Sequence, residues 1–142
     1  MKKKFKFKHK TGKTFKDFRG WLKKILDGNF SSCIEVYSKK GTTRANHYHK
    51  KDKHFIYIIA GEILYFYKDR KKGSKVYIKK MKKGDLFYTA AMQEHMAYFL
   101  KPTHFLAFST RKRTKFDYEK DLIRVNMKRY PDVKKAILKN RK

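Results

Sequence analysis

Between residues 32 and 110 the chain alternates short apolar runs with turn residues, at the period of strands rather than helices. Ile34–Tyr37 is the first run. Phe55–Ala60 and Glu62–Tyr67 follow, and the Ala60-Gly61 corner between them predicts a hairpin. Val76–Ile78 comes after Lys72-Gly73-Ser74, and Leu86–Thr89 after Lys83-Gly84-Asp85. Met96–Leu100 and Phe105–Ser109 flank Lys101-Pro102-Thr103. Seven strands at this spacing predict a sandwich or a barrel. Helical patterning is confined to the ends. Trp21–Leu26 predicts a short turn, and Pro131 followed by Asp132 and an apolar-spaced segment to Leu138 predicts a terminal helix. The first sixteen residues interleave lysine with Phe5 and Phe7 and read as a basic tail or an edge strand.

Length and composition narrow this picture. A chain of 142 residues suits one domain, and 40% hydrophobic with 16% aromatic residues supplies a packed core. Cys33 is alone, so no intramolecular disulfide and no cysteine-based zinc site can form. No apolar run approaches the roughly 18 residues of a membrane span. The n-region-like Lys2-Lys3-Lys4 is followed by no apolar core, so a cytoplasmic protein with no membrane partner is expected.

The charge is high: 40 Lys plus Arg against 12 Asp plus Glu, net +28. It is spread along the chain as +8 over residues 1–16, +11 over 17–110 and +9 over 111–142. Only eight of the basic residues are arginine, whereas base readout and bidentate phosphate contacts favour arginine. The lysine excess therefore reads as compositional background, with nucleic acid bound only non-specifically.

Four of the six histidines are placed informatively. His47 and His49 alternate, which on a strand puts both on one face. His54 opens the next run and His95 a later one. Neutral imidazole is the commonest ligand for zinc, iron, nickel and similar ions, and scattered histidines are otherwise solvated surface residues.

The stretch from Gly41 through His47-Tyr48-His49 and His54 to Gly61 resembles the first motif of the cupin superfamily, in which a glutamate usually stands where His54 does. Gly84 and His95 fit the spacing of the second motif, while Ala90, Met92 and Phe99 replace its Pro, Gly and Asn. The resemblance covers about residues 41–99. It implies an all-β double-stranded β-helix, an RmlC-like jelly-roll barrel, with short helical additions at the termini. Its extent would be a cupin domain over 17–125, after the basic segment 1–16 and before a helical extension 126–142. It also implies a metal held by His47, His49, His54 and His95. An all-nitrogen set suits a divalent transition metal (Zn, Fe, Ni or Mn) rather than Mg or Ca, and the departures from the motif leave a metal-free site as the other expectation.

A narrower resemblance lies in Asp17-Phe18-Arg19-Gly20-Trp21 and in Arg44, three residues before His47. Both look like cupins acting on nucleotide-linked deoxysugars, the dTDP-keto-deoxysugar epimerases and ketoisomerases. The resemblance implies an isomerase of carbohydrate or polysaccharide biosynthesis, with an anionic sugar nucleotide as substrate. His47 would be the base and His54 would lie at the position facing it. Arg44 would clamp a diphosphate, and Tyr65 and Tyr67 would stack on the ligand or pack in the core. An all-histidine metal-dependent oxygenase and a non-catalytic sugar- or polyanion-binding module are the alternatives, and a homodimer is expected.

Other residues carry blander expectations. Tyr48 should face away from the histidines, at the surface or an interface. Phe99 should be core, and Glu94 should point away from His95. Glu35 is a candidate to orient a histidine. Cys33 is expected to be a buried small hydrophobe. Arg111-Lys112-Arg113 is expected to be a solvated loop, with phosphate contact as the second reading.

Overall fold

A computed structural model describes residues 6–141. Its strands are β1 (Lys8–His9), β2 (Thr14–Asp17), β3 (Gly20–Lys23), β4 (Ser32–Ser38), β5 (Thr43–His49), β6 (His54–Ala60), β7 (Glu62–Asp69), β8 (Tyr77–Lys82), β9 (Leu86–Thr89), β10 (Gln93–Phe99) and β11 (Thr103–Ser109). Helix α1 (Lys115–Asp121), strand β12 (Leu122–Arg124), a single 3-10 turn (Met127–Arg129) and helix α2 (Pro131–Lys139) complete the chain. Two five-stranded antiparallel sheets, ordered β1-β9-β6-β11-β4 and β12-β5-β10-β7-β8, face each other as a jelly roll. The fold is thus mostly β with helices near the C-terminus.

Alternation along the strands builds the interior. On β6, Ile56 and Ile58 are buried while Phe55, Tyr57 and Ile59 are half-buried on the other face; β11 repeats the pattern with Phe105 and Ala107 inward. These residues meet Ile63, Tyr65, Tyr67, Ala97 and Phe99 of the opposite sheet in one core. Strand β10 is buried on both faces. Its outer residues Met96 and Tyr98 lie with Leu64 and Phe66 beneath Met127, Val133 and Ile137. Helix α2 starts with Pro131 in its first turn and presents Val133 and Ile137, four apart, to that layer. Glu94, also on the outer side of β10, accepts hydrogen bonds from Arg70, Arg129 and Tyr130 at 3.1–3.2 Å and ties the α2 segment to the sheet.

The β6–β7 corner needs Gly61. Its φ is +104°, and a Cβ there would collide with Pro102 and Thr103.

Several expectations change. Trp21–Leu26 is not a helical turn: Gly20–Lys23 pairs with Thr14–Asp17 as a hairpin, with Phe15 opposite Leu22. Cross-strand pairing overrode the local apolar spacing there. Cys33 is exposed on β4 rather than buried. Tyr48 is buried, because the Arg70 guanidinium covers its ring at 4.7 Å. Helix α1 has no counterpart in the expected elements; Thr114 caps it by accepting from the Asp117 amide. Residues 1–5, including Phe5, lie outside the described residues. Phe7 stacks on Tyr67 with centroids 4.7 Å apart, and Lys8–His9 pair with β9.

Candidate active site: a buried histidine cluster

Strand pairing brings His95 directly opposite His47 across β10 and β5. The next partners are Met96 and Ala45, so Asn46 is an extra residue, a β-bulge with Ala45 at φ 70° and Asn46 at φ 62°. Three residues apart on a regular strand, Arg44 and His47 would face opposite ways. The bulge resets the alternation, so both lie on the inner side opposite Ala97 and His95. Asn46 is held in place: its side chain accepts from the Met127 amide at 2.9 Å and its carbonyl from Val125.

His49 follows on β5, and His54 enters from β6 of the facing sheet. All four imidazoles are buried and mutually close. Ring centroids are 4.8 Å apart for His47–His49 and His47–His95, 5.1 Å for His54–His95 and 5.8 Å for His49–His54. The nitrogens of His47, His49 and His95 lie within 4.8 Å of one another, as do the ligand atoms of His49, Asp52 and His54.

Hydrogen bonds assign two tautomers. His95 Nδ1 lies 3.0 Å from the Gln93 carbonyl, which can only accept, so Nδ1 carries the proton. His49 Nδ1 donates to Asp121 at 3.2 Å. Each leaves Nε2 as the basic nitrogen. Asp121 is itself fixed by the amides of Lys51 and Asp52, at 2.9 and 3.1 Å. Asp52 is buried and accepts from the Thr110 hydroxyl and the Arg111 amide.

Burial dominates the electrostatics. It lowers His47 to about 2 and His95 to about 3, with neighbouring imidazoles adding to the shift in both; the Gln93 carbonyl opposes it at His95. It also holds His54 well below its ordinary value. His49 is lowered by burial too, but Asp52 and Asp121 oppose the shift. His49 is therefore the histidine of the cluster with carboxylate support.

The cluster lines a cavity of about 300 Å³. Arg44, Arg113, Tyr118 and Tyr65 also line it, together with apolar Ile34, Val36 and Phe105. Arg113 stacks over Tyr118 at 4.4 Å, and Tyr118 lies 5.8 Å from His49 and 6.1 Å from His47. Arg113, read from sequence as a loop residue first, thus borders the site. Arg44 donates to the Ser38 hydroxyl at 2.6 Å and to the Tyr37 carbonyl at 3.2 Å. Tyr65 shares a 2.5 Å hydrogen bond with Thr89, and burial raises its phenol. Tyr67 belongs to the core and does not line this cavity. Glu35 pairs with His104 at 3.2 Å on the outer side of its sheet, away from the cluster. Asp121, Asp52 and Tyr118 are site residues that sequence reasoning missed, and Arg113 entered it only as a second reading. Tyr118 and Asp121 come from α1, about seventy residues after His49, where no local pattern marks them; Asp52 lies just after His49 between two lysines, with nothing local to show that it is buried.

No protein-family model matches the sequence, and no curated protein is significantly similar to it. Solved structures are similar in fold. QdtA, a sugar 3,4-ketoisomerase from Thermoanaerobacterium thermosaccharolyticum solved in complex with TDP, superposes with a TM-score of 0.66 at 18% identity, covering 89% of this chain and 92% of that one. The dTDP-4-dehydrorhamnose 3,5-epimerase from Sulfolobus tokodaii gives 0.63 at 20% identity, over 73% and 69%. ChmJ, a 3'-monoepimerase from Streptomyces bikiniensis in complex with dTDP-quinovose, gives 0.70 at 15%, over 87% and 74%. The double-sheet topology and these superpositions agree: the chain has the jelly-roll fold of the RmlC-like cupins.

Proposed function

We propose that the chain is an isomerase of carbohydrate biosynthesis in the cytoplasm, shifting a proton beside the ketone of an anionic keto-sugar nucleotide. The observation that carries this reading is the buried His49–Asp121 pair facing a cavity bordered by Arg44 and Arg113. Structural neighbours solved with TDP or dTDP-linked sugars support the substrate class.

The chemistry follows from the donors and acceptors. Asp121 keeps the proton of His49 on Nδ1, so Nε2 is free to take a proton from the carbon next to the ketone. The imidazolium that forms is stabilised by Asp121 and Asp52. Charge developing on the ketone oxygen meets cationic Arg113 and the N–H groups of imidazoles kept neutral by burial. Return of the proton by His49 to the neighbouring carbon of the enediol, with a hydroxyl proton moving to the first oxygen, gives the isomeric ketone; epimerisation needs in addition a donor on the opposite face, with His49 losing its proton to solvent. The family resemblance assigns the base to His47. His49 is preferred because no carboxylate among the described residues pairs with His47. His47 and His54 then serve as donors, and Arg44 holds the diphosphate.

The same cluster fits a divalent transition metal. Four neutral imidazoles and one buried carboxylate match zinc, iron, nickel or manganese, with His47, His49 and His95 as the ligands and His54 or Asp52 beside them. Such an ion would supply Lewis acidity toward a carbonyl. A metal-dependent oxygenase is the second reading, favoured by the all-nitrogen donor set.

The test is proton exchange. Tag-free protein is incubated with TDP-4-keto-6-deoxyglucose in deuterium oxide, and exchange beside the ketone is followed by NMR with elemental analysis in parallel. Exchange by the wild type and its loss in His49→Gln support the reading. No exchange, together with no thermal shift by TDP, would remove it, and bound iron with oxygen consumption would favour the second reading.

A further inference from the structure

The histidine cavity lies on the inner side of β6. A second cavity, of about 690 Å³, lies on the outer side of the same strand and shares no lining residue with the first. Strand alternation separates the two: His54 lines the inner cavity and Phe55, the next residue, lines the outer one. Phe55 pairs with Tyr88 of β9, and their rings are 4.9 Å apart. The His9 ring of β1 stands edge-on to both, at 5.0 and 6.2 Å. Phe30, from the segment before β4, stands edge-on to Phe55 at 6.0 Å. Gly28 backs the Phe30 ring so closely that a Cβ on it would come within 2.6 Å of the ring. Ala90 and Ala91 complete the lining with little bulk.

Polar groups border these rings. Lys6 and Lys53 line the cavity, and neither forms an ion pair among the described residues. Asp27, the one carboxylate among the lining residues described, is taken by Lys24 at 2.7 Å. His9 Nε2 donates to the Lys6 carbonyl at 2.9 Å, which leaves its Nδ1 as an acceptor. The amides of Gly28, Asn29 and Phe30 donate to no group among the described residues.

We infer that this outer cavity is a second ligand site and that it takes a nucleoside monophosphate. Half-buried rings from four separate segments offer a stacking surface, which any base fits by its π-face. Two ammonium groups without a carboxylate partner and a run of free amides fit a phosphate. An apolar ligand would make no use of the lysines and amides, and inorganic phosphate none of the rings. The volume falls within the roughly 300–1,000 Å³ of small-molecule sites, which leaves room for base, ribose and phosphate together.

The tag-free full chain is titrated with AMP, GMP, CMP and UMP by calorimetry in about 0.15 M NaCl, while NMR follows the imidazole C–H signals of its histidines. At least one of the four is expected to bind with a dissociation constant below about 1 mM and to shift the His9 signal, which His9→Ala identifies by its loss. Phe30→Ala and Lys53→Glu each raise that constant at least about fivefold. Lys53→Glu, at an exposed position, decides the question should Phe30→Ala fail to fold. Lys79→Glu makes the same charge change on the other sheet and leaves the constant unmoved. The His9 shift survives Arg44→Gln, a change in the histidine cavity. Ribose 5-phosphate and the matching nucleoside each bind at least about fivefold more weakly. No binding by any of the four, or binding that leaves His9 unmoved, overturns the inference. Equal weakening by Lys53→Glu and Lys79→Glu overturns it too, since the net charge of +28 would then hold the nucleotide without a site.

Discussion

Acid should unfold this protein through its histidine cluster, at a pH where most domains of this size hold. His47 and His95 are neutral in the folded chain down to about 2 and about 3, because burial removes the water that would solvate the cation. In the unfolded chain both titrate near 6.5. Between those values the unfolded chain binds more protons, so stability is full above about pH 6.5 and falls as pH drops below it. At pH 5 the gap is about 1.5 units for each residue, or about 2 kcal/mol apiece and about 4 kcal/mol for the pair. That is a large part of a typical domain's 5–15 kcal/mol, roughly. His54 adds in the same direction. The assay is urea unfolding between pH 7.5 and 5 on chelator-dialysed protein. It should be followed by circular dichroism, because Trp21 sits on the exposed hairpin and its fluorescence senses little of the core. His47→Gln and His95→Gln should each flatten the dependence of stability on pH by about 1.4 kcal/mol per unit, whatever they do to stability at pH 7.5. A wild-type profile flat from pH 7.5 to 5, or variants with the wild-type slope, would refute the reasoning.

Three further outcomes are expected. Asp121→Asn should lower proton exchange on a keto-sugar nucleotide by about 10²–10⁴-fold with little change in substrate affinity, read by single-turnover NMR and calorimetry. Gly61→Ala should cost about 1–3 kcal/mol in urea melts, because it adds a Cβ against Pro102 and Thr103 and strains a positive φ. Zinc or nickel added to metal-free protein should raise its melting temperature, and His47→Ala or His95→Ala should abolish the rise; a rise that survives in either removes that residue from the ligand set.

Sequence and structure divide the site between them in a physically sensible way. His47-Tyr48-His49 was legible because alternation on one strand is a local property with a period of two. Spacing also separated His54 and His95 from the lysine background, since each opens an apolar run. Arg44 was placed beside His47 by the family resemblance, but strand alternation alone would put the two on opposite faces. Their shared face depends on the bulge at Ala45–Asn46, which forms only when β5 is paired with β10 and anchored by Met127. Trp21–Leu26 misled for a related reason: the helix-like spacing of Trp21, Leu22, Ile25 and Leu26 is a local signal, and pairing with Thr14–Asp17 decided the conformation of Gly20–Lys23.

By itself the sequence determined seven of the strands, the terminal helix, the lone cysteine and the histidine spacing, all set by short-range periodicity and residue chemistry. Only the tertiary structure decided which side chains share a cavity. Long-range antiparallel pairing carries Asp121 from the end of α1 to His49, and Arg113 and Tyr118 to the rim. Those placements arise from contacts across seventy residues, where burial disfavours the charged form of each imidazole and a buried carboxylate supports His49 alone among them.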